Sequence, residues 1–263
     1  MTIKRVKAIA YVISAIVILL VAQVYHSAHL AIAAPAKGVK NIVLVHGAWA
    51  DGSSWSKVIP LLQADGYTVT AVQNPLTSLS DDVAATKRVI DAQDGPVLLV
   101  GHSWAGAVIT QAGTDPKVAG LVYVNAFAPD QGQAVGELGK GYPTPPGLGA
   151  VKQVGAFLWV SPAGIADFFA PDLPRSESAV LAATQGPIAS ATFTQKVSSA
   201  AWRTKPSWCV VGSQDKMIDP SLERAMAKKI KAKKTLELAS SHVSMLSHPD
   251  QVASFIASAA SSL

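Results

Sequence analysis

Short apolar runs alternate with helix-patterned stretches through the first half of this chain, and no other feature narrows its fold as far. Asn41 to Val45, Tyr67 to Val72, Val97 to Val100 and Leu121 to Asn125 read as strands. Between them, residues near Ser54 to Ala64, near Asp81 to Ala92 and from Ser103 onward carry helical patterning. Strand, helix, strand in unbroken succession needs crossover connections, which predict an α/β fold: a mostly parallel, twisted sheet with helices on both faces. With 49% hydrophobic and 15% charged residues among 263, the expectation is one well-buried domain plus whatever the N-terminus adds.

One of the predicted strand-to-helix junctions is unusual. Gly101-His102-Ser103-Trp104-Ala105-Gly106 lies between the run ending at Val100 and a helix-like stretch reaching Gln111. A serine at such a sharp turn has its hydroxyl lifted clear of the sheet and backbone N–H groups aimed at one point, as a nucleophile attacking a carbonyl requires. The strict G-x-S-x-G pattern is broken by Ala105, the next smallest residue in a place that needs a small one. A plain glycine-containing β–α turn is the alternative.

A nucleophilic serine needs a base, and the base needs an orienting carboxylate. Where this turn is used, the chain order is Ser, then Asp or Glu, then His. Trp208 to Asp215 reads as a buried strand running into a loop, with the acid just past the strand's carboxyl end, where sites assemble in open parallel sheets. Asp215 is the candidate acid. Asp219 precedes Pro220 and reads as a cap for a helix around Ser221 to Ile230. Leu236-Glu237-Leu238 looks like a last short strand, and the polar loop after it offers His242 as the base, whereas His248 before Pro249 begins a terminal helix. His26 and His29 fall in the leader, and strand alternation points His102 away from the nucleophile's side. The strand Asn41 to Val45 ends in the turn His46-Gly47-Ala48-Trp49. That turn reads either as a simple β–α connection or as an oxyanion loop, with the Ala48 N–H joining the Trp104 N–H and His46 as a structural hydrogen-bonding residue.

These segments together carry a resemblance. The His46-Gly47-Ala48-Trp49 loop with Gly52 and Trp55, the serine turn, Val124 to Pro129, Val211 to Asp215 and Ser241 to Pro249 resemble the α/β-hydrolase superfamily, over residues 40 to 263. The likeness is to its small-esterase branch, which holds plant methyl-ester esterases, hydroxynitrile lyases and many bacterial hydrolases. It implies a Ser103, Asp215, His242 triad, an oxyanion hole from Ala48 and Trp104, and cleavage of small-molecule carboxylic esters through an acyl-enzyme. Hydroxynitrile lyases of the branch typically carry Thr where this chain has Gly47 and Lys where it has Val243, and haloalkane dehalogenases use Asp where it has Ser103. The alternatives are a triad-bearing lyase, a cofactor-free oxygenase, or a non-enzymatic small-molecule binding protein on the same fold.

The rhythm breaks after Pro129. Residues 131–200 are rich in Gly and Pro at first, then carry Phe157, Leu158, Trp159, Phe168, Phe169 and Phe193 without a clear strand run. By the resemblance this is a helical cap, dividing the hydrolase core into residues 34–130 and 201–263. Residues 1–33 read as an export segment: Lys4, Arg5 and Lys7, an apolar stretch from Ala8, and an A-x-A pattern at Ala31-Ile32-Ala33. A cleaved signal peptide implies a periplasmic or secreted protein. An uncleaved anchor is the alternative, because Ala8 to Val24 approaches the ~20 residues a spanning helix needs; the catalytic domain then still faces outward.

Charge adds little. The chain has 22 Lys and Arg against 17 Asp and Glu, and three of the cations belong to the leader, so no nucleic-acid surface is implied. The cluster Lys228, Lys229, Lys231, Lys233, Lys234 reads as a solvated face at a helix C-terminus. Cys209, the sole cysteine, sits in an apolar strand and cannot form an intramolecular disulfide. Spaced metal ligands, a G-x-G-x-x-G run and a Walker loop are absent, so neither cofactor nor metal is expected.

Overall fold

The computed structural model describes residues 38–263, so the predicted export segment, residues 1–33, lies outside the described residues. Among the described residues nine strands follow in chain order: β1 (Asn41–Val45), β2 (Thr68–Val72), β3 (Val97–His102), β4 (Val118–Val124), β5 (Val151–Val154), β6 (Phe157–Val160), β7 (Ile188–Ala189), β8 (Ser207–Gly212) and β9 (Thr235–Leu238). Six of them form one sheet in the order β2-β1-β3-β4-β8-β9, with every neighbouring pair parallel. Its central strands β1, β3 and β8 are buried along their whole length, whereas the edge strands β2 and β9 are partly exposed. Continuous apolar runs such as Asn41 to Val45 are what strands covered on both faces require.

The helices are α1 (Ile59–Ala64), α2 (Leu79–Asp91), α3 (Ala105–Ala112), α4 (Arg175–Thr184), α5 (Pro220–Lys229) and α6 (Pro249–Ser261), with several shorter turns between them; all but α4, which lies in the insertion, flank the sheet. Helix α2 starts where its sequence says it should. The Ser78 side chain accepts from the Asp81 N–H, Asp81 and Asp82 stand in the first turn, and Arg88 stands in the last, all favourable to the helix dipole. Helix α6 opens with Pro249 and buries Val252, Phe255, Ile256 and Ala259, a stripe at helical spacing that packs against α1 and the sheet.

The insertion, residues 131–200, differs from the expectation of a helical cap. It has helices, including α4, but also a three-stranded antiparallel sheet β5-β6-β7. Each of these strands has at most four residues and faces partly to solvent, so the alternation is too short to register in the sequence. Gly155, with φ of 58°, sits in the two-residue loop of the β5–β6 hairpin, the left-handed conformation that such loops need. The insertion is tied to the core by hydrogen bonds from the Trp49 indole to the Leu158 carbonyl (3.0 Å) and from the Leu79 N–H to the Gln195 side chain (2.6 Å).

Candidate active site

Ser103 follows the last residue of β3 with φ of 54°, a left-handed conformation that costs a non-glycine residue about 1 kcal/mol or more. The turn is held because α3 comes very close to the segment after β4. A Cβ on Gly106 would run into the Phe127 carbonyl oxygen, while Ala105 packs fully buried. Thus the close approaches in this turn fall on Gly101, where a Cβ would lie 2.8 Å from the Ala105 carbonyl oxygen, and on Gly106, one residue past the place where the strict pattern puts its second glycine.

The loop after β1 is packed directly onto Ser103. A Cβ on Gly47 would lie 2.7 Å from the Ser103 Cβ and 2.8 Å from the His102 carbonyl oxygen, so only glycine fits. His46 locks the loop from behind. Its Nε2 accepts from the Asn74 N–H (2.9 Å), which leaves the proton on Nδ1 to donate to the Gly47 carbonyl (2.9 Å). Burial lowers the His46 pKa and keeps the ring neutral. Among the described residues, neither the Ala48 N–H nor the Trp104 N–H has an acceptor within the protein. Two N–H groups on the loops meeting at Ser103 are thus left without acceptors among the described residues.

The two remaining predicted residues come to the same place from 112 and 139 positions away. Ser103 Oγ lies 2.8 Å from His242 Nε2, and His242 Nδ1 lies 2.6 Å from Asp215 Oδ2. All three side chains are buried. Asp215 stands just past β8, where its Oδ1 accepts from the Met217 (2.7 Å) and Ile218 (3.0 Å) N–H groups. Burial alone would raise its pKa. His242, together with hydrogen bonds from Glu223 and the Ile218 N–H, outweighs that and holds Asp215 below its ordinary value. Asp219 accepts from the Ser221 N–H at the start of α5, and His248 stands at the start of α6, so neither joins the Ser103, His242 and Asp215 hydrogen-bond path.

His102 corrects the sequence reading. It packs against His242: the two ring centroids lie 4.7 Å apart, and its Nε2–H donates to the His242 carbonyl at 2.8 Å. Strand alternation ends at His102 because Ser103 leaves the extended conformation, so period-two logic does not carry across the turn. Burial, reinforced by the nearby His242, lowers the His102 pKa to about 3, which keeps this ring a neutral donor. The insertion helps to seat the same loop. Asp172 accepts from the Ser241 N–H (2.8 Å) and hydroxyl (2.5 Å), and Phe169 packs edge-on against His242 with centroids 5.1 Å apart.

Two buried acids went unassigned in the sequence. Glu223 lies on the inner face of α5 beside Asp215. Asp82 accepts from the Trp104 indole N–H and the Leu76 N–H, both at 2.8 Å, tying α2 to the residue after Ser103. Burial raises the Asp82 pKa to about 6, although these two donors work the other way. A raised carboxyl pKa means that the folded state holds more protons between about pH 4 and 6, so stability is lost as pH rises through that window. The expected loss is on the order of 2 kcal/mol. Urea unfolding of the wild type and of Asp82→Asn from pH 4 to 7 should show a stability difference that changes by about this amount; a flat difference would rule out the titration.

An apolar cavity of about 210 Å³ opens between the insertion and the core, lined in part by Phe127, Val135, Leu148, Phe193, Met217 and Ile218. It adjoins the serine turn, since the Phe127 N–H donates to the Ser103 carbonyl (3.2 Å) and the Phe193 ring lies 5.5 Å from that of Trp104. Of the aromatic residues noted in the insertion, Phe169 and Phe193 therefore reach the site, whereas Trp159 is exposed. Among the described residues no cluster of His, Cys, Asp or Glu is arranged to hold a metal, and no helix is long and apolar enough to cross a membrane.

A parallel sheet flanked by helices, with a left-handed serine between the third strand and its helix, defines an α/β-hydrolase architecture. Residues 42–255 match the alpha/beta hydrolase family, and the chain belongs to it. Among curated proteins it is 33% identical over 109 residues to a carbendazim hydrolyzing esterase of Nocardioides sp., a match covering 36% of this chain and 45% of that protein. It is 35% identical over 106 residues to salicylic acid-binding protein 2 of Nicotiana tabacum, covering 35% and 41% respectively. The chain thus spans less than half the length of these relatives. Among solved structures, a pyrethroid hydrolase from Sphingobium faniae superposes with a TM-score of 0.72 at 23% identity, over 84% of this chain and 97% of that one. Polyneuridine aldehyde esterase superposes with the same score at 20% identity, over 83% and 98%. At these identities the superpositions establish the shared fold.

Proposed function

We propose that this chain is a serine hydrolase of carboxylic esters. The observation that carries the reading is the unbroken hydrogen-bond path from Asp215 through His242 to Ser103, ending beside two N–H groups that have no acceptor among the described residues. In this reading His242 takes the Ser103 proton as the oxygen attacks the ester carbonyl, and Asp215 fixes the ring with its proton on Nδ1. The Ala48 and Trp104 N–H groups receive the developing oxyanion, a role worth about 3 kcal/mol per donor in comparable sites. His242 then protonates the departing alcohol, and water repeats the sequence on the acyl-enzyme. The cavity beside Phe127 and Phe193 offers room for an apolar part of the ester.

Relatives named as esterases and hydrolases support hydrolysis. Cyanohydrin cleavage is disfavoured at two positions, since Gly47 leaves no room for a side chain and Val243 supplies no cation after the base. The proposal also puts the enzyme outside the cytoplasmic membrane, on the strength of the export pattern in residues 1–33. The test is a series of p-nitrophenyl esters, acetyl to palmitoyl, assayed with and without a serine-directed phosphonate. Loss of hydrolysis in step with labelling of Ser103, read by mass spectrometry, is the expected result. Turnover that persists with Ser103 fully labelled would refute it.

A further inference from the structure

Glu223 is 3% exposed, and among the described residues no cation pairs with it. Its Oε2 accepts from the Gly212 N–H at 3.2 Å, and its Oε1 has no donor. What it faces is unfavourable to a second anion. Gly212 brings Asp215 beside it, since the Gly212 carbonyl accepts from the Asp215 N–H (3.1 Å) while its N–H serves Glu223, and the charge of Asp215, with His242 behind it, bears on Glu223, as does that of Glu223 on the Cys209 thiol of β8. On its own helix, Arg224 turns outward into an ion pair with Glu237 (2.6 Å), and Asp219 is occupied in capping. Two adjacent buried carboxylates with only His242 to share, and no cation on Glu223, resist ionising together.

We propose that Glu223 is a neutral carboxylic acid whose O–H donates a hydrogen bond to Asp215, a positioning residue that extends the Ser103-His242-Asp215 path by one carboxyl. Protonated, the otherwise orphaned Oε1 becomes a donor, with Asp215 as its acceptor. Burial first, then the charge of Asp215 and the hydrogen bond to it, raise the Glu223 pKa well above its usual range, while Asp215 moves the other way. The two carboxyls therefore carry one negative charge between them. That single charge is steadied by a hydrogen bond, and His242 faces one anion where it would otherwise face two.

The functional half of this inference rests on the ester-hydrolase reading; the protonation half does not. Infrared difference spectra of wild type against Glu223→Gln at pH 7 should contain the C=O stretch of a protonated carboxyl that shifts in D2O. Its absence would overturn the proposal whether or not the protein hydrolyses any ester, and its presence in a protein without turnover would fault the hydrolase reading alone. Where esters are turned over, Glu223→Leu should lower kcat/KM by about 10- to 100-fold and move the acid limb of its pH profile upward. Glu223→Gln, which keeps both a donor for Asp215 and an acceptor for Gly212, should restore most of that loss and keep the limb within about 0.3 of a pH unit of wild type. A glutamine variant whose limb falls by a full unit would mean that a buried charge had been removed, and that Glu223 is ionised.

Discussion

Replacing Ser103 with alanine is expected to lower kcat/KM for an activated ester by at least about 10⁴-fold, because the other members of a triad do nothing without the nucleophile. The fold should survive. The residue's backbone is held at φ of 54° by the Gly47 loop and by the packing of Gly106 on Phe127, and none of these contacts uses the hydroxyl. The variant loses only the hydrogen bond to His242. Ser103→Gly should be equally inactive yet more stable than Ser103→Ala by about 1 kcal/mol, since glycine takes the left-handed conformation without strain. Thermal unfolding of the three full-length proteins, set beside their kcat/KM values, checks both statements. Activity near wild type in the alanine variant would show that Ser103 is not the nucleophile.

The parts of this molecule that could be read from the sequence are those written in consecutive residues. The six strands of the parallel sheet appear as apolar runs, the serine turn as a hexapeptide, and the acid and base as residues just past their strands. Partners made by packing were harder to read, though two left a trace. Glu223 falls on the buried stripe Leu222, Met226, Ala227 of α5, and Asp82 on the stripe Leu79, Val83, Thr86 of α2. An acid on an apolar stripe demands a partner from elsewhere in the fold, here Asp215 and the Trp104 indole. His102 left no such trace, because its partner is the backbone of a loop 140 residues away. The hairpin in the insertion stayed hidden because its alternation lasts only four residues.

Asp215→Asn is expected to cost about 10⁴-fold in kcat/KM, a loss typical of an inverted tautomer. The Oδ1 atom of Asp215 accepts two N–H groups, from Met217 and Ile218. Asparagine must therefore keep its carbonyl oxygen there and turn its NH₂ toward His242. Nδ1 then has to accept, the ring proton moves to Nε2, and the imidazole presents a donor to Ser103 in place of a base. Asp219, four residues on, supplies the control. Asp219→Ala removes the side chain that caps α5 and should lower stability by about 1 kcal/mol, with kcat/KM within about twofold of wild type. If the two phenotypes were exchanged, with Asp219→Ala inactive and Asp215→Asn merely less stable, the acid would have been assigned to the wrong carboxylate. Equal and mild effects would mean that His242 is oriented without Asp215, through the hydrogen bond its backbone carbonyl receives from His102 and the packing of Phe169 on its ring.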